Sequence, residues 1–146
     1  MKLLISFEGI DGCGKSTQIK LLSEKLNNNN IENVIFREPG DTFFSNKIRN
    51  ILLDNNNDIC SESEMLLFLS ARAQLVREKI IPCFEKKNVI LLDRFIDSTL
   101  AYQGYGRKLD KTIINKLNLF ATNQIIPDLT FIFNINPKVC IERIRS

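Results

Sequence analysis

The sequence predicts an α/β protein in which a parallel β-sheet is flanked by helices in a three-layer α/β/α arrangement. Four short apolar runs, each rich in β-branched or aromatic residues, are separated by stretches of helical periodicity. Strands buried on both faces read as near-continuous apolar runs, and their alternation with helices is typical of a parallel sheet.

The predicted strands are Leu3–Phe7, Val34–Arg37, Val89–Asp93 and Leu129–Ile135. The predicted helices are Ser16–Leu26, Phe43–Leu53, Glu62–Phe84, Lys111–Ala121 and Pro137–Ile144. Apolar residues at Ile19, Leu22 and Leu26 give the first helix one apolar face. Pro82 should stop or kink the long third helix, and Pro137 suits the first turn of the last.

Composition indicates one ordinary globular domain over residues 1–146. Hydrophobic residues make up 44% of the chain and charged residues 25%, and no apolar run approaches the roughly 18 residues of a membrane span. The net charge of +3 is too small for the concentrated basic stripe of a nucleic-acid binder. We therefore expect neither membrane nor nucleic acid as a partner.

The cysteine and histidine content limits the possible chemistry. The four cysteines are scattered without a CxxC pair and the chain has no histidine, so a zinc site and every Ser-His or Cys-His mechanism are excluded. Free thiols predict a reducing, cytoplasmic location.

The strongest motif is Gly9-Ile10-Asp11-Gly12-Cys13-Gly14-Lys15-Ser16, which matches G-x-x-x-x-G-K-[ST] between a predicted strand and a predicted helix. It predicts the P-loop NTPase fold, with backbone N–H groups around phosphate, Lys15 at the β and γ phosphates of ATP, and Ser16 on Mg²⁺. The predicted phosphate-binding residues are Gly9, Ile10, Asp11, Gly12, Cys13, Gly14, Lys15, Ser16 and Thr17.

This loop alone does not distinguish a GTPase, a motor ATPase and a small-molecule kinase. No N-K-x-D base-reading motif is present, which disfavours a GTPase. The third predicted strand ends in Asp93 followed by Arg94, an acid and then a base, which indicates a second anionic substrate beside the magnesium ion.

Several further motifs follow in order along nearly the whole chain. They are Arg37-Glu38-Pro39-Gly40, Leu67-Phe68-Leu69-Ser70-Ala71-Arg72-Ala73-Gln74, Asp93-Arg94-Phe95, Ala101-Tyr102-Gln103-Gly104 and Pro127-Asp128-Leu129-Thr130. Together with Phe7 to Gln18 they resemble the bacterial thymidylate kinases. The resemblance implies phosphoryl transfer from ATP to dTMP with Mg²⁺, for dTTP synthesis, by a homodimer that packs through helices such as Glu62–Phe84.

The resemblance also implies a role for each matching residue. It places Lys15, Arg37 and Arg94 in catalysis, and Ser16 and Asp93 at the metal, in part through water. Its implied dTMP-binding residues are Asp11, Arg37, Phe68, Arg72, Arg94, Thr99, Tyr102 and Gln103. Phe68 would stack on thymine, Arg72 would donate to a base oxygen, and Tyr102 would crowd the sugar 2′ position.

Other interpretations of these residues stay open. Phe68 and Tyr102 could be core rings, Arg72 a solvated charge, and Asp93 with Arg94 a structural ion pair. Arg49 and Arg107 are interpreted as surface or supporting charges, and Ser61 to Glu64 as a helix cap without a catalytic role. The alternative functions are a kinase for another nucleoside monophosphate and a nucleotide-binding remnant without catalysis.

Two departures from the family pattern stand out. The loop lacks a basic x position, as in relatives whose arginine comes from a lid, and we expect the chain to stop before that lid, leaving an edge strand uncovered. Gly40-Asp41-Thr42-Phe43 stands where relatives more often have Gly-Gly-Thr-Pro, so that loop should bend differently.

Overall fold

A four-stranded parallel sheet forms the centre of the molecule in the computed structural model, which describes residues 2–86 and 88–145. The strands are β1 Leu3–Glu8, β2 Asn33–Arg37, β3 Val89–Asp93 and β4 Leu129–Ile132. Their order is β2-β3-β1-β4, and each neighbouring pair is parallel. The predicted parallel sheet is confirmed.

Helices pack on both faces of the sheet. They are α1 Lys15–Asn28, α2 Phe43–Leu53, α3 Ser61–Leu75, α4 Ile81–Glu85, α5 Ile96–Thr99, α6 Lys111–Ala121 and α7 Pro137–Arg145. Two π-helical segments, Val76–Ile80 and Leu100–Gly106, join α3 to α4 and extend α5. The bounds of α2 and α6 are those predicted from sequence.

The core has two layers because alternate strand residues point to opposite faces. On one face, strand residues Leu4, Ile90 and Leu92 pack against Leu75 at the end of α3 and Ile80 of the following π-helical segment. On the other face, apolar residues of β1 and β3 pack against α1; this cluster contains Ile5, Phe7, Ile19, Val89 and Leu91. These two clusters confirm the three-layer arrangement.

The long third helix, predicted as Glu62–Phe84 with a stop or kink at Pro82, is divided in the structure into α3, the π-helical segment Val76–Ile80 and α4. Ile81 N–H donates to the Val76 carbonyl, an i to i−5 hydrogen bond, and Pro82 follows in the first turn of α4. Proline has no N–H and its ring collides with the carbonyl four residues earlier. The wider turn before Pro82 lets the chain continue as a helix where the sequence predicted a stop or kink.

The fourth strand is shorter than its predicted span, Leu129–Ile135. Its last ladder partner is Glu8, the final residue of β1, which pairs with Ile132. Phe133 N–H still donates to the Glu8 carbonyl at 2.8 Å, but β1 turns there into the glycine-rich loop, so strand pairing ends at Ile132.

The loop before α2 is fixed by side-chain contacts. Asp41 has φ 64° and its carboxylate accepts from Arg37 N–H, while the Thr42 hydroxyl accepts from Ser45 N–H at 2.9 Å and caps α2. Ser45 Oγ in turn donates to the Ala71 carbonyl at 2.8 Å, which ties this loop to α3.

Candidate functional site

Polar residues gather where the carboxyl ends of β1, β2 and β3 meet. Glu8, Arg37 and Asp93 are the last residues of these strands, and each leads into a loop at the same edge of the sheet. This is the edge at which parallel α/β sheets bind ligands.

The glycine-rich loop wraps from β1 into α1. Gly12 and Gly14 have φ of 77° and 92°, a region that only glycine enters without cost. The ammonium of Lys15 donates to the carbonyl oxygens of Gly9 and Ile10 at 3.0 and 3.1 Å. These bonds hold the lysine against the loop, whose N–H groups lead into the start of a helix and favour an anion.

A cavity of about 810 Å³ opens over this loop. Its wall contains the predicted phosphate-binding residues from Asp11 to Thr17, together with Arg37, Asp93 and Arg94. Gly9 and Ile10 are not part of the wall, and they contribute the carbonyl oxygens that orient Lys15.

The predicted metal residues lie in contact. Ser16 Oγ donates to Asp93 Oδ2 at 2.7 Å, and Asp93 is buried. A hydroxyl beside a carboxylate is a set of hard oxygen donors of the kind that Mg²⁺ prefers. No group of three or more Asp, Glu, Cys or His residues suited to a metal occurs in residues 2–86 and 88–145, so further ligands would come from phosphate and water.

Arg94 lies at the centre of the site in a strained conformation. Its φ is 74°, which is costly for a residue with a Cβ and is found mainly at functional positions. Its guanidinium donates to Asp11 Oδ1 at 2.7 Å and to Ser98 Oγ at 3.1 Å, and lies 5.3 Å from the Tyr102 ring centroid. The hydrogen bond from Arg94 lowers the pKa of Asp11 despite partial burial.

A second cavity, of about 500 Å³, lies beside the first. The sequence-predicted residues in its wall are Asp11, Phe68, Arg72, Arg94, Thr99, Tyr102 and Gln103. The structure therefore brings the proposed base, sugar and phosphate contacts into one space, with Arg37 in the neighbouring wall.

Arg72 is buried, and each nitrogen of its guanidinium group donates a hydrogen bond within the protein. Its Nε donates to Glu38 Oε2 at 2.7 Å, and its two terminal nitrogens donate to Asn118 Oδ1 and to the Phe95 carbonyl. The interpretation of Arg72 as a solvated charge is wrong, because only 2% of its side chain is exposed. Burial raises the pKa of Glu38, an effect that the Arg72 charge opposes.

Four site residues were not identified from sequence. The second cavity is also lined by Glu38, Arg49, Glu64 and Arg107. Glu38 lies inside the Arg37-Glu38-Pro39-Gly40 motif, which could have indicated it. Arg49 is one of two basic residues of α2, and Glu64 is an ordinary first-turn acid of α3, so neither belongs to a recognisable local motif.

Arg49 brings a further positive charge to the phosphate side of the site. Its Nη1 donates to the Pro39 carbonyl at 2.9 Å, and it lines both cavities. Burial, and then the nearby Arg37 charge, lower the pKa of Arg49. Two guanidinium groups held close together repel one another, and an anion between them relieves that repulsion.

The fold and this site define the class of protein. A parallel sheet and a G-x-x-x-x-G-K-S loop leading into α1 are those of the P-loop NTPase fold, and a second, cation-lined cavity adjoins the loop. In the part of the chain that the structure describes, no helix is long and apolar enough to cross a bilayer.

Comparison with known proteins identifies the family. The thymidylate kinase family model matches residues 7–146. Thymidylate kinase of Chlorobium phaeobacteroides is 50% identical over 144 residues, and that of Kosmotoga olearia is 49% identical over 143 residues. The alignments cover 99% and 98% of this chain, and 66% and 69% of those proteins. The chain belongs to the thymidylate kinase family.

A solved structure agrees with this assignment. The crystal structure of thymidylate kinase from Ehrlichia chaffeensis is similar with a TM-score of 0.87 and 39% identity, over 99% of this chain and 82% of that one. The chain thus spans about two thirds of the length of the two relatives named above.

Proposed function

We propose that this chain binds ATP with Mg²⁺ and dTMP, and transfers the terminal phosphoryl group of ATP to dTMP to give dTDP for dTTP synthesis. The observation that carries the proposal is the shared wall of the two cavities. Arg94 and Asp11 line both, with the phosphate loop on one side and Phe68, Tyr102 and Gln103 on the other.

The nucleophile in this proposal is a phosphate oxygen of dTMP. The second pKa of a phosphate monoester is about 6, so this oxygen is ionised at neutral pH and needs no general base. A chain without histidine suits such chemistry. Catalysis then depends on alignment and on neutralising charge in the transition state.

The chain's own cations have separate roles. Lys15 lies against the loop at the proposed β and γ phosphates, and Arg37 and Arg94 flank the proposed acceptor phosphate. Ser16 and Asp93 would hold Mg²⁺, directly and through water, and the ion would neutralise charge on the donor phosphates. Asp11 accepts a hydrogen bond from Arg94, and in this proposal its carboxylate also approaches the sugar 3′-hydroxyl.

We propose that Phe68 and Arg72 recognise the base and that Tyr102 disfavours ribose. Phe68 and Arg72 are one helical turn apart on α3 and both line the second cavity. Since the donors of Arg72 hold Glu38, Asn118 and the Phe95 carbonyl, its contact with a base oxygen would use an N–H outside these bonds.

Calorimetric titration with dTMP, dUMP, dGMP and ribose TMP tests the substrate. We expect selective binding of dTMP, weakened roughly 10- to 100-fold in Arg94→Met because a charge-assisted contact to phosphate is lost. Arg77→Met is the matched control, since Arg77 is exposed and outside both cavities. ATP binding without any preference for dTMP would overturn the thymidylate assignment in favour of another monophosphate.

Turnover is measured separately, as ADP release that depends on dTMP. Selective binding of both nucleotides without ADP release would favour the nucleotide-binding remnant over the enzyme.

We further propose a cytoplasmic homodimer. Exposed apolar side chains on α2 and α3, among them Phe44 and Leu66, support a partner surface there. Sedimentation at several concentrations tests this, and a monomer mass throughout would contradict it.

A further inference from the structure

A carboxylate on α3 joins the π-helical segment at the mouth of the second cavity. Glu64 Oε1 accepts from Gln103 Nε2 at 2.7 Å and from Arg107 Nε at 3.2 Å, and Glu64 Oε2 accepts from Arg107 Nη2 at 2.7 Å. All three residues line the cavity, and Gln103 is only 3% exposed.

The chemistry of these groups fixes which end of the Gln103 amide faces Glu64. An ionised carboxylate only accepts hydrogen bonds, so Gln103 must present its NH₂ group to it. The hydrogen bond from Arg107 lowers the pKa of Glu64, against the effect of partial burial, which keeps the carboxylate ionised at neutral pH.

This arrangement leaves the amide oxygen of Gln103 for a ligand. Within the described part of the chain no donor forms a hydrogen bond with Gln103 Oε1, although the residue is buried in the cavity wall. An acceptor at this position pairs with a base whose ring nitrogen carries a hydrogen, as N3–H does in thymine. Cytosine has an unprotonated N3 and would place two acceptors against each other.

We propose that Glu64 is a positioning residue that fixes the orientation of the Gln103 amide, with Arg107 as its counter-charge, and thereby favours pyrimidines that donate from N3 over cytosine. This inference rests on the proposed function, because it assigns the second cavity to the base of the acceptor nucleotide. A purely structural role, tying α3 to the π-helical segment, would affect stability without changing selectivity among bases.

Glu64→Gln separates these two roles. The substituted amide can donate as well as accept, so the Gln103 amide can turn either end to the cavity. We expect the ratio of dTMP to dCMP affinity, measured by calorimetry on the full chain, to fall at least about tenfold, since one hydrogen bond is lost for dTMP and one is gained for dCMP. ATP affinity should stay as in the unsubstituted chain.

Glu62→Gln is the matched control, because it removes the same charge from the same helical turn at an exposed position outside the cavity. Gln103→Met removes the amide itself and should also lower the ratio of dTMP to dCMP affinity. This variant tests the inference if Glu64→Gln fails to fold. In the Gln103→Met background, adding Glu64→Gln should change selectivity no further.

The outcomes distinguish this inference from the function on which it rests. If the unsubstituted chain binds ATP but has no preference for dTMP, the proposed function fails. If it prefers dTMP and a folded Glu64→Gln variant keeps the dTMP to dCMP ratio, the positioning role of Glu64 alone is overturned. A preference retained by Gln103→Met overturns it as well.

Discussion

Glu8, the last residue of β1, is buried, and its carboxylate is linked to Arg94 by hydrogen bonds through the Ser98 hydroxyl. Its Oε1 accepts from Phe95 N–H at 2.8 Å and its Oε2 accepts from Ser98 Oγ at 2.6 Å. Ser98 Oγ in turn accepts from Arg94 Nη1 at 3.1 Å. Glu8 therefore orients the Ser98 hydroxyl so that its lone pairs face the guanidinium.

The ionisation of Glu8 has a cost in stability. Burial, together with the nearby charge of Asp97, raises the pKa of Glu8, and the hydrogen bonds from Ser98 and Phe95 and the charge of Arg94 oppose that rise. A raised pKa means that the folded state binds the proton more tightly than the unfolded state. Stability is therefore lost as pH rises from the unfolded pKa, about 4.3, through the folded pKa.

We predict that Glu8→Gln is more stable to urea than the unsubstituted chain at pH 7, with a difference that shrinks toward acid. The same variant should bind dTMP about tenfold more weakly, because an amide N–H donating to Ser98 turns the hydroxyl proton toward Arg94. Ser98→Ala is the control and should weaken dTMP binding without the gain in stability. Loss of stability at pH 7 in Glu8→Gln would contradict the prediction.

The sequence predicted the residues of the site that belong to local motifs. The loop from Asp11 to Thr17 follows from its motif, and the presence of Asp93 at the same edge of the sheet follows from its place at the end of a predicted strand. Residues that reach the site only through tertiary packing gave no such signal. Arg49 lies in the cavity wall because α2 packs on α3. Glu64 lies there because α3 faces the π-helical segment Leu100–Gly106.

At the scale of elements, the phosphate loop is packed against α7. A Cβ built on Gly12 would collide with the Cys140 carbonyl oxygen and lie 3.0 Å from Ile144 Cγ1, while a Cβ on Gly14 would meet no atom within 4 Å. Both glycines have positive φ. A substitution at either glycine therefore strains the backbone. Only a substitution at Gly12 also brings a side chain into collision with α7.

We predict that Gly14→Ala lowers the free energy of unfolding by roughly 1–2 kcal/mol, the cost of a left-handed conformation with a Cβ. Gly12→Ala should lower it by about 1–3 kcal/mol more, because α7 must move away from the loop. Urea denaturation at equal protein concentration measures both. Equal losses in the two variants would show that the contact with α7 contributes no stability.

The π-helical segments show why parts of the element pattern were not predictable. Leu100–Gly106 contains two glycines, and Ile96–Thr99 contains Asp, Ser and Thr, all poor helix formers. We predicted no helix there. The segment is held instead by tertiary contacts, such as Gln103 on Glu64 and Ser98 on Glu8, which a single sequence does not display.

At the scale of the whole molecule, the sheet has an exposed edge at β4. β4 pairs with β1 among the described strands, and its Ile132 side chain is 74% exposed. A free edge with unpaired N–H and C=O groups and apolar side chains is a template for pairing with another chain.

We predict concentration-dependent self-association through this edge. Ile132→Lys should reduce light scattering at high protein concentration, because a charge at the edge opposes strand pairing. Leu21→Lys is the control, since Leu21 is also exposed but belongs to α1 and not to β4. If both substitutions reduce scattering equally, added charge and not the β4 edge is the cause.

The shared wall between the two cavities has a thermodynamic consequence. Asp11, Glu38, Arg49 and Arg94 border both spaces, so an anion entering either one changes the field that the other anion meets. Coupling of this kind is reciprocal: the factor by which one bound anion alters the affinity for the second equals the factor by which the second alters the affinity for the first. The energetic coupling between the proposed donor and acceptor sites thus arises from the charges of four side chains that border both cavities.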